Sequence, residues 1–396
     1  MSEVIIAGIG QTPVEEHWDT SLRQLALQAI DAARQDAGGL QPQALFVGNM
    51  LAPEISRQAH LGALIADYAG LTGIEAATVE AAGASGGAAL RGGFMAVASG
   101  LVDVALVVGV EKFTDMVGAS VEAALATGGD SDYETVQGVT PTIQAALLMR
   151  RYLYEFDVPR SAFAGFPLVA HANSAGNPHA MFRKPLSTEA YNRADMVSEP
   201  LNLFDVAPRA DGAAALLLTR LDLLPAGYAH RQVRIAGSSL VTGALALHDR
   251  QDPLVFTAAR LSVERACQKA HITPLQVDFL ELYDAYSIFV ALSLEAAGFA
   301  ERGQGWRLAQ PGGSDQNGNS PAPISLQGSL PVGTLGGLKA RGNPGGATGV
   351  YQAVEAVLQL RGQAGPNQLL NPRRGLIQCL GGSGSTAVTH ILEGID

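Results

Sequence analysis

The chain has 396 residues, with 26 Lys and Arg against 37 Asp and Glu and a formal net charge of −11. That balance excludes a general nucleic-acid binder, which needs a basic surface to neutralise phosphates. Apolar residues make up 47% and charged residues 16%, with 46 glycines, a composition that excludes a disordered chain and suits a buried α/β core with tight turns.

Val4–Gly8 opens the chain as a strand. Ser21 and Gln24 have the spacing of a capping box, Leu22, Leu25, Ala26, Ala29, Ile30 and Ala33 follow helical spacing, and Gly38 closes the helix. Ala44–Gly48 reads as a buried strand, and about Gln58 to Gly70 as a helix. Val79–Ala89 reads as a strand end, a small-residue turn and the start of a helix running to about Ser99, followed by a strand over Val104–Lys112. The alternation through Val110 predicts a doubly wound α/β half. From Phe113 to about Pro200 the pattern loosens into an insertion, with a helix near Pro141–Phe156 and a loop-rich run from Val169 to Met181. Asp211–Thr219 returns to the sheet.

A second half starts at Val233–Gly237 much as the first starts at Val4. It holds a helix near Val255–Ala270, a strand over Val277–Leu282 and a helix after Asp284. Gln310–Gly333, rich in Gly, Pro and Ser, reads as a long surface loop leading to a turn at Asn343. A helix over Gly349–Arg361 and a strand over Gly375–Gln378 follow. At this length two units are expected, 1–225 with its insertion at about 113–200, and 230–396. Cys267 and Cys379 give no disulfide framework and fit a reducing cytoplasm. The first residues carry no basic segment followed by an apolar run, and no apolar run approaches the roughly 20 residues of a membrane span. A cytoplasmic location is therefore expected.

The turn between Val79 and Ala89 bears most on function. A strand–turn–helix of this kind lifts one residue out of the sheet and points a helix N-terminus at it, which exposes a nucleophile beside backbone N–H groups. Here the apex is Gly83, which has no side chain. Taken alone, Gly83 serves a strained turn. Tyr283 is an aromatic packed at a strand end or a phenol in a site, and Asn343 a loop residue tolerant of left-handed backbone or an amide donor. Cys379 is a buried thiol or an acid/base group, while Cys267, on a helix, is structural. His171 lies in an Asn- and His-containing run where ligand contact and plain polarity are both open. No His, Cys or Asp cluster has metal spacing, and no phosphate loop or dinucleotide fingerprint is present.

Five ordered segments carry a family resemblance: the turn Gly83-Ala84-Ser85-Gly86, Asp211–Ala215, Glu281–Tyr286, Gly336–Gly349 and Cys379–Gly384. Together they resemble the thiolase family, specifically its archaeal and sterol-carrier-type branch, over nearly the whole chain. The resemblance implies a thiolase fold of two similar halves in a five-layered α/β/α/β/α arrangement. It implies an acyl-CoA thioester as ligand, with no bound cofactor and no metal. Gly83 stands where the family has its acylated cysteine, so a lost nucleophile is implied, with the N–H groups of Gly83 and Gly381 left to form an oxyanion hole. Tyr283 and Asn343 replace groups that polarise the second carbonyl, and Cys379 matches the cysteine that moves the α-proton. Ser85, within the motif, and His171, near the ligand entrance, are expected at the ligand. A homodimer through the sheet edge near residues 79–90, a dimer of dimers as an extension, and a small zinc-ribbon/OB-fold partner protein are implied too. Three functions follow: non-covalent C–C bond cleavage or formation on an acyl-CoA, an acetyl-CoA C-acyltransferase with an atypical site, or a silent acyl-CoA-binding subunit.

Overall fold

The computed structural model describes residues 3–311 and 320–395. Strand β1, Val4–Gln11, leads to helix α1, Leu22–Asp36. Ser21 caps α1: its hydroxyl accepts from the Gln24 N–H while the Gln24 side chain accepts from the Ser21 N–H, as the spacing predicts. Strands β2 (Ala44–Gly48), β3 (Glu75–Val79) and β4 (Val104–Glu111) alternate with helices α2 (Ala52–Ile55), α3 (Leu61–Tyr68) and α4 (Ser85–Ala98). The insertion holds α5 (Ala119–Ala126), α6 (Pro141–Glu155), α7 (Gly165–Ser174), α8 (Thr188–Arg193) and a small ribbon of β5 (Met196–Ser198) and β6 (Leu201–Asn202). After β7 (Gly212–Arg220) come β8 (Gln232–Thr242), α9 (Thr257–Ala270), β9 (Phe279–Glu281), α10 (Ser287–Ala296), α11 (Thr348–Arg361), β10 (Arg374–Gly381) and β11 (Thr386–Ile395).

Among the described residues nine strands form one sheet in the order β3-β2-β4-β7-β1-β8-β11-β10-β9. β1 and β8 meet through a single registered pair, Ile5 with Arg234, so the sheet is two sub-sheets joined at a seam. Both are mixed. β2 lies parallel to β3 and β4, and β10 parallel to β9, while β7 and β11 run antiparallel to their neighbours. Doubly wound pairing therefore holds only where strand and helix alternate directly; β7 returns after the long insertion, free of the crossover that forces parallel pairing.

Helices fill three layers around the two sub-sheets. α1 and α3 pack Leu25, Ile30 and Ile65 on Leu45, Leu106 and Leu217. α4 and α11 lie between the sub-sheets, where Leu90, Val350 and Val354 touch Val107 and Leu216 on one side and Ile377 and Val388 on the other. α9 and α10 cover the far face, with Val263, Phe289 and Leu292 against Leu376 and Ile391. α11 is accordingly buried on nearly every face. Helices and sub-sheets thus alternate in five layers.

Several local readings change. The run from Val169 to Met181 is helical through Ser174, because its small residues let α7 pack on the Gly337–Arg341 turn. The segment read as a surface loop buries Ala322, Ile324 and Val332, and the Val332 flank bridges to Leu280; its residues 312–319 lie outside the described residues. The helix expected over 58–70 is confined to α3, since His60 at φ +59° breaks it from the preceding turn. β11, buried from Ala387 to Leu392, lacks the alternation that would have marked it.

Candidate active site

The turn after β3 is built from its own side chains. Ala82 adopts φ +50°, a conformation few L-residues tolerate, inside the 3-10 turn Ala82–Ala84. Ser85 holds it: the hydroxyl donates to the Ala82 carbonyl at 2.6 Å and accepts from the Ala81 N–H at 2.9 Å. Ser85 is fully buried and its oxygen is engaged within the turn, so the expected ligand contact is replaced by a structural one.

Gly83 lines an inner cavity of about 60 Å³ together with Tyr283, Asn343, Tyr286, Phe289, Gly382 and Arg209. A Cβ built on Gly83 would stand 2.6 Å from Tyr283 Cζ and 2.7 Å from the Leu380 carbonyl, closer than carbon atoms approach. The turn and the phenol are fitted to each other.

Tyr283 is delivered by the end of β9. Burial pushes its phenol well above the ordinary range, Tyr286, Cys379 and Asp284 reinforce that, and a hydrogen bond from Asn343 opposes it. Asn343 Oδ1 accepts from the Gly345 N–H at 3.1 Å and the Thr348 hydroxyl at 3.4 Å, which leaves its NH₂ to donate to the phenol oxygen. The Asn343 backbone is clamped to the loop before β7: its N–H donates to the Pro208 carbonyl and its carbonyl accepts from Ala210 N–H.

Cys379 is placed differently. Its side chain is fully buried beneath α4 and α11, and the thiol donates to Gln352 Oε1 at 2.9 Å. A Cβ on Gly349 would come within 2.7 Å of Sγ, so glycine there lets α11 close over the thiol. Burial pushes the thiol up to about 12, with Arg341 and the Gly87 backbone drawing it down. Sγ packs against Gly87 and Gly349, and Cys379 is not among the residues that line the inner cavity. Gly381 pairs with Thr386 in the sheet, and the neighbouring Gly382 lines the cavity in its place.

An outer cavity of about 360 Å³ adjoins the inner one and shares Val206, Ala207 and Arg209 with it. His171 lies in its wall, stacked on Phe182 with ring centroids 5.9 Å apart, and burial holds its imidazole below the usual range. Lys339 lies there too. Its ammonium donates to the Asp205 carbonyl at 2.7 Å, and burial lowers it to about 8 against the pull of Asp284 and Asp205.

Sequence reasoning missed Glu111, Arg209 and Lys339. Glu111 accepts from the N–H groups of Met50, Leu51 and Gly346 and from Asn49, tying the β2 end to the Asn343 loop. Burial raises it to about 7 against those hydrogen bonds. An acid closing an all-apolar strand was the available signal; Arg209 had none. Among the described residues no group of three or more His, Cys, Asp or Glu could hold a metal ion, and no helix is long and apolar enough to cross a membrane.

Two stacked sub-sheets with a helix pair between them, and a site at the strand ends under a glycine-rich loop, define a thiolase-type α/β protein. The chain belongs to the thiolase family: residues 4–222 match the thiolase N-terminal domain and residues 239–394 the thiolase C-terminal domain-like family. It is 40% identical to an acetyl-CoA acetyltransferase of Methanothermobacter thermautotrophicus over 99% of this chain and all of that protein. It is 30% identical to the benzoylsuccinyl-CoA thiolase subunit BbsB of Thauera aromatica over 91% of this chain and 90% of that one. The fold resembles the Ltp2-ChsH2(DUF35) aldolase with a TM-score of 0.81 at 24% identity, covering 99% of this chain and 98% of the other.

Proposed function

We propose that this thiolase-family protein binds acyl-CoA thioesters and makes or breaks a C–C bond without a covalent acyl-enzyme. One observation carries the reading: at the turn apex, Gly83 offers no nucleophile, and the Tyr283 phenol fills the space a side chain there would need. In the cleavage direction Tyr283 acts from its minor deprotonated form, which burial disfavours and the Asn343 hydrogen bond favours, and that phenolate takes the hydroxyl proton of a β-hydroxyacyl thioester. The Cα–Cβ bond breaks, the electron pair passes into the thioester enolate, and a carbonyl compound leaves. The proton then returns from the phenol to Cα, so nothing is consumed. The Asn343 NH₂ steadies the phenolate, and backbone N–H groups at the Gly83 turn and near Gly381 serve the enolate oxygen. Cys379 remains the family's α-proton group only if Gln352 releases it. His171 and Lys339 would face the CoA portion in the outer cavity.

The Methanothermobacter relative, an acetyl-CoA acetyltransferase, supports the alternative of C-acyl transfer through an atypical site, and a silent thioester-binding subunit is the other. The exposed edge of β3, Glu75 to Thr78, supports a homodimer through that edge. The Thauera relative is named as a subunit, which supports a partner protein such as a zinc-ribbon/OB-fold chain. The two-unit division, 1–225 and 230–396, and a cytoplasmic setting belong to the same proposal. Incubation with acetyl-CoA should leave the intact mass unchanged, and Tyr283→Phe should cut turnover of a β-hydroxyacyl-CoA by roughly 10²–10⁴-fold with thioester binding nearly intact. A stable acetyl adduct would overturn the reading.

A further inference from the structure

Among the described residues that line the inner cavity, Arg209 is the single charged side chain, and the other walls include Phe113, Leu125, Val139 and Phe289. A partly exposed guanidinium beside an apolar wall gains from a counter-charge, modestly so while water still reaches it. In the free protein Glu122 supplies it, reaching Arg209 from the outer cavity. The two side chains are 31% and 37% exposed, so another carboxylate can take the place of Glu122 without moving the backbone. The position of Arg209 is fixed: Pro208 and Ala210, on either side of it, both hydrogen-bond to the Asn343 backbone, at 2.8 and 3.1 Å. The backbone that carries the cation is thus held at a set offset from the amide that contacts Tyr283. It also faces Tyr286, whose phenol hydrogen-bonds Thr142 at 3.0 Å.

We propose that Arg209 reads a carboxylate carried by the acyl part of the thioester, and that Glu122 holds the guanidinium until such a substrate enters. The substrate class is then a dicarboxylic acyl-CoA. This rests on the thioester reading above and adds the acyl chemistry to it. The shared wall with Gly83, Tyr283 and Asn343 favours the acyl end over the phosphates of CoA, which would lie toward the outer opening.

Glutaryl-CoA and pentanoyl-CoA, equal in chain length, separate the possibilities by titration calorimetry on the full chain. The wild type should prefer glutaryl-CoA by roughly 10- to 100-fold, the worth of a hydrogen-bonded charge pair. Arg209→Gln should abolish that preference with little change for pentanoyl-CoA, and Glu122→Gln should enlarge it. Equal affinity of the wild type for both thioesters would overturn the proposal and leave the thioester reading standing. So would an equal loss for both in Arg209→Gln, which would assign the cation to CoA phosphates. Binding of neither thioester by the folded wild type would overturn both.

Discussion

The phenol of Tyr283 and the α-carbon of Gly83 share one space: a Cβ at position 83 would lie 2.6 Å from Tyr283 Cζ. Glycine at the apex and tyrosine at the end of β9 are therefore one coupled choice. Any side chain at 83 requires that ring to move and the Leu380 carbonyl, 2.7 Å from the same point, to give way as well.

A double-mutant cycle tests that coupling. Gly83→Cys alone should destabilise the protein by about 1–3 kcal/mol, the usual cost of overpacking a filled interior. In a Tyr283→Ala background the same substitution should cost less, the contact with the Leu380 carbonyl remaining, with a coupling energy above about 1 kcal/mol by urea denaturation. Strict additivity would show that the ring yields freely.

Asn343→Asp keeps the acceptor for the Gly345 N–H and the Thr348 hydroxyl but replaces the donor to Tyr283 with an anion. Turnover should fall by roughly 10²-fold, as when one preorganised donor is removed, while the thioester dissociation constant changes little. Unaltered kcat would mean that the Asn343 amide serves only the loop.

Both thiols are buried, and burial pushes Cys267 up to about 11 and Cys379 up to about 12. Thiolate is the reactive form, so neither should react with an aromatic disulfide reagent at pH 8 in the native protein on the timescale of free cysteine. Both should react at once in urea. A fast native thiol mapping to Cys379 would show that Sγ leaves Gln352 and reaches the cavity, which would restore its α-proton role.

Arg341 is fully buried, stands 3.4 Å from Glu355 through Nε, and also draws Glu281 down. Burial nonetheless holds both carboxyls well above the usual carboxylate range, and the charge of Glu355 raises Glu281 further. Arg341→Met removes the cation that opposes these shifts, so both carboxyls rise further in the folded state only. A folded-state rise means that the native protein binds more protons than the unfolded chain, so stability falls as pH increases between about 4.5 and 8. The variant should lose about 3–5 kcal/mol near pH 8 and markedly less near pH 5. A pH-independent loss in denaturant titrations would assign the effect to packing alone.

The sequence by itself determined the layered α/β plan and the elements written in local periodicity. α1 came with its Ser21–Gln24 cap, and β2, β4 and α11 lie within a few residues of where apolar spacing puts them. Gly83, Tyr283 and Asn343 stood out through the resemblance to the thiolase family, since their local patterns alone fit a strained turn, a packed aromatic and a loop residue. The sequence could not place Cys379: the alternation of a strand says which face a side chain takes, but not that Gly349 lets α11 approach until Gln352 caps the thiol. Nor could it see Arg209, which gains meaning only when the loop before β7 pairs with the Asn343 turn 134 residues later (343 − 209). Contacts between distant segments depend on packing between layers. No local pattern encodes them, so the shape of the cavity, its one cation and the shared space of residues 83 and 283 were decided by the tertiary structure.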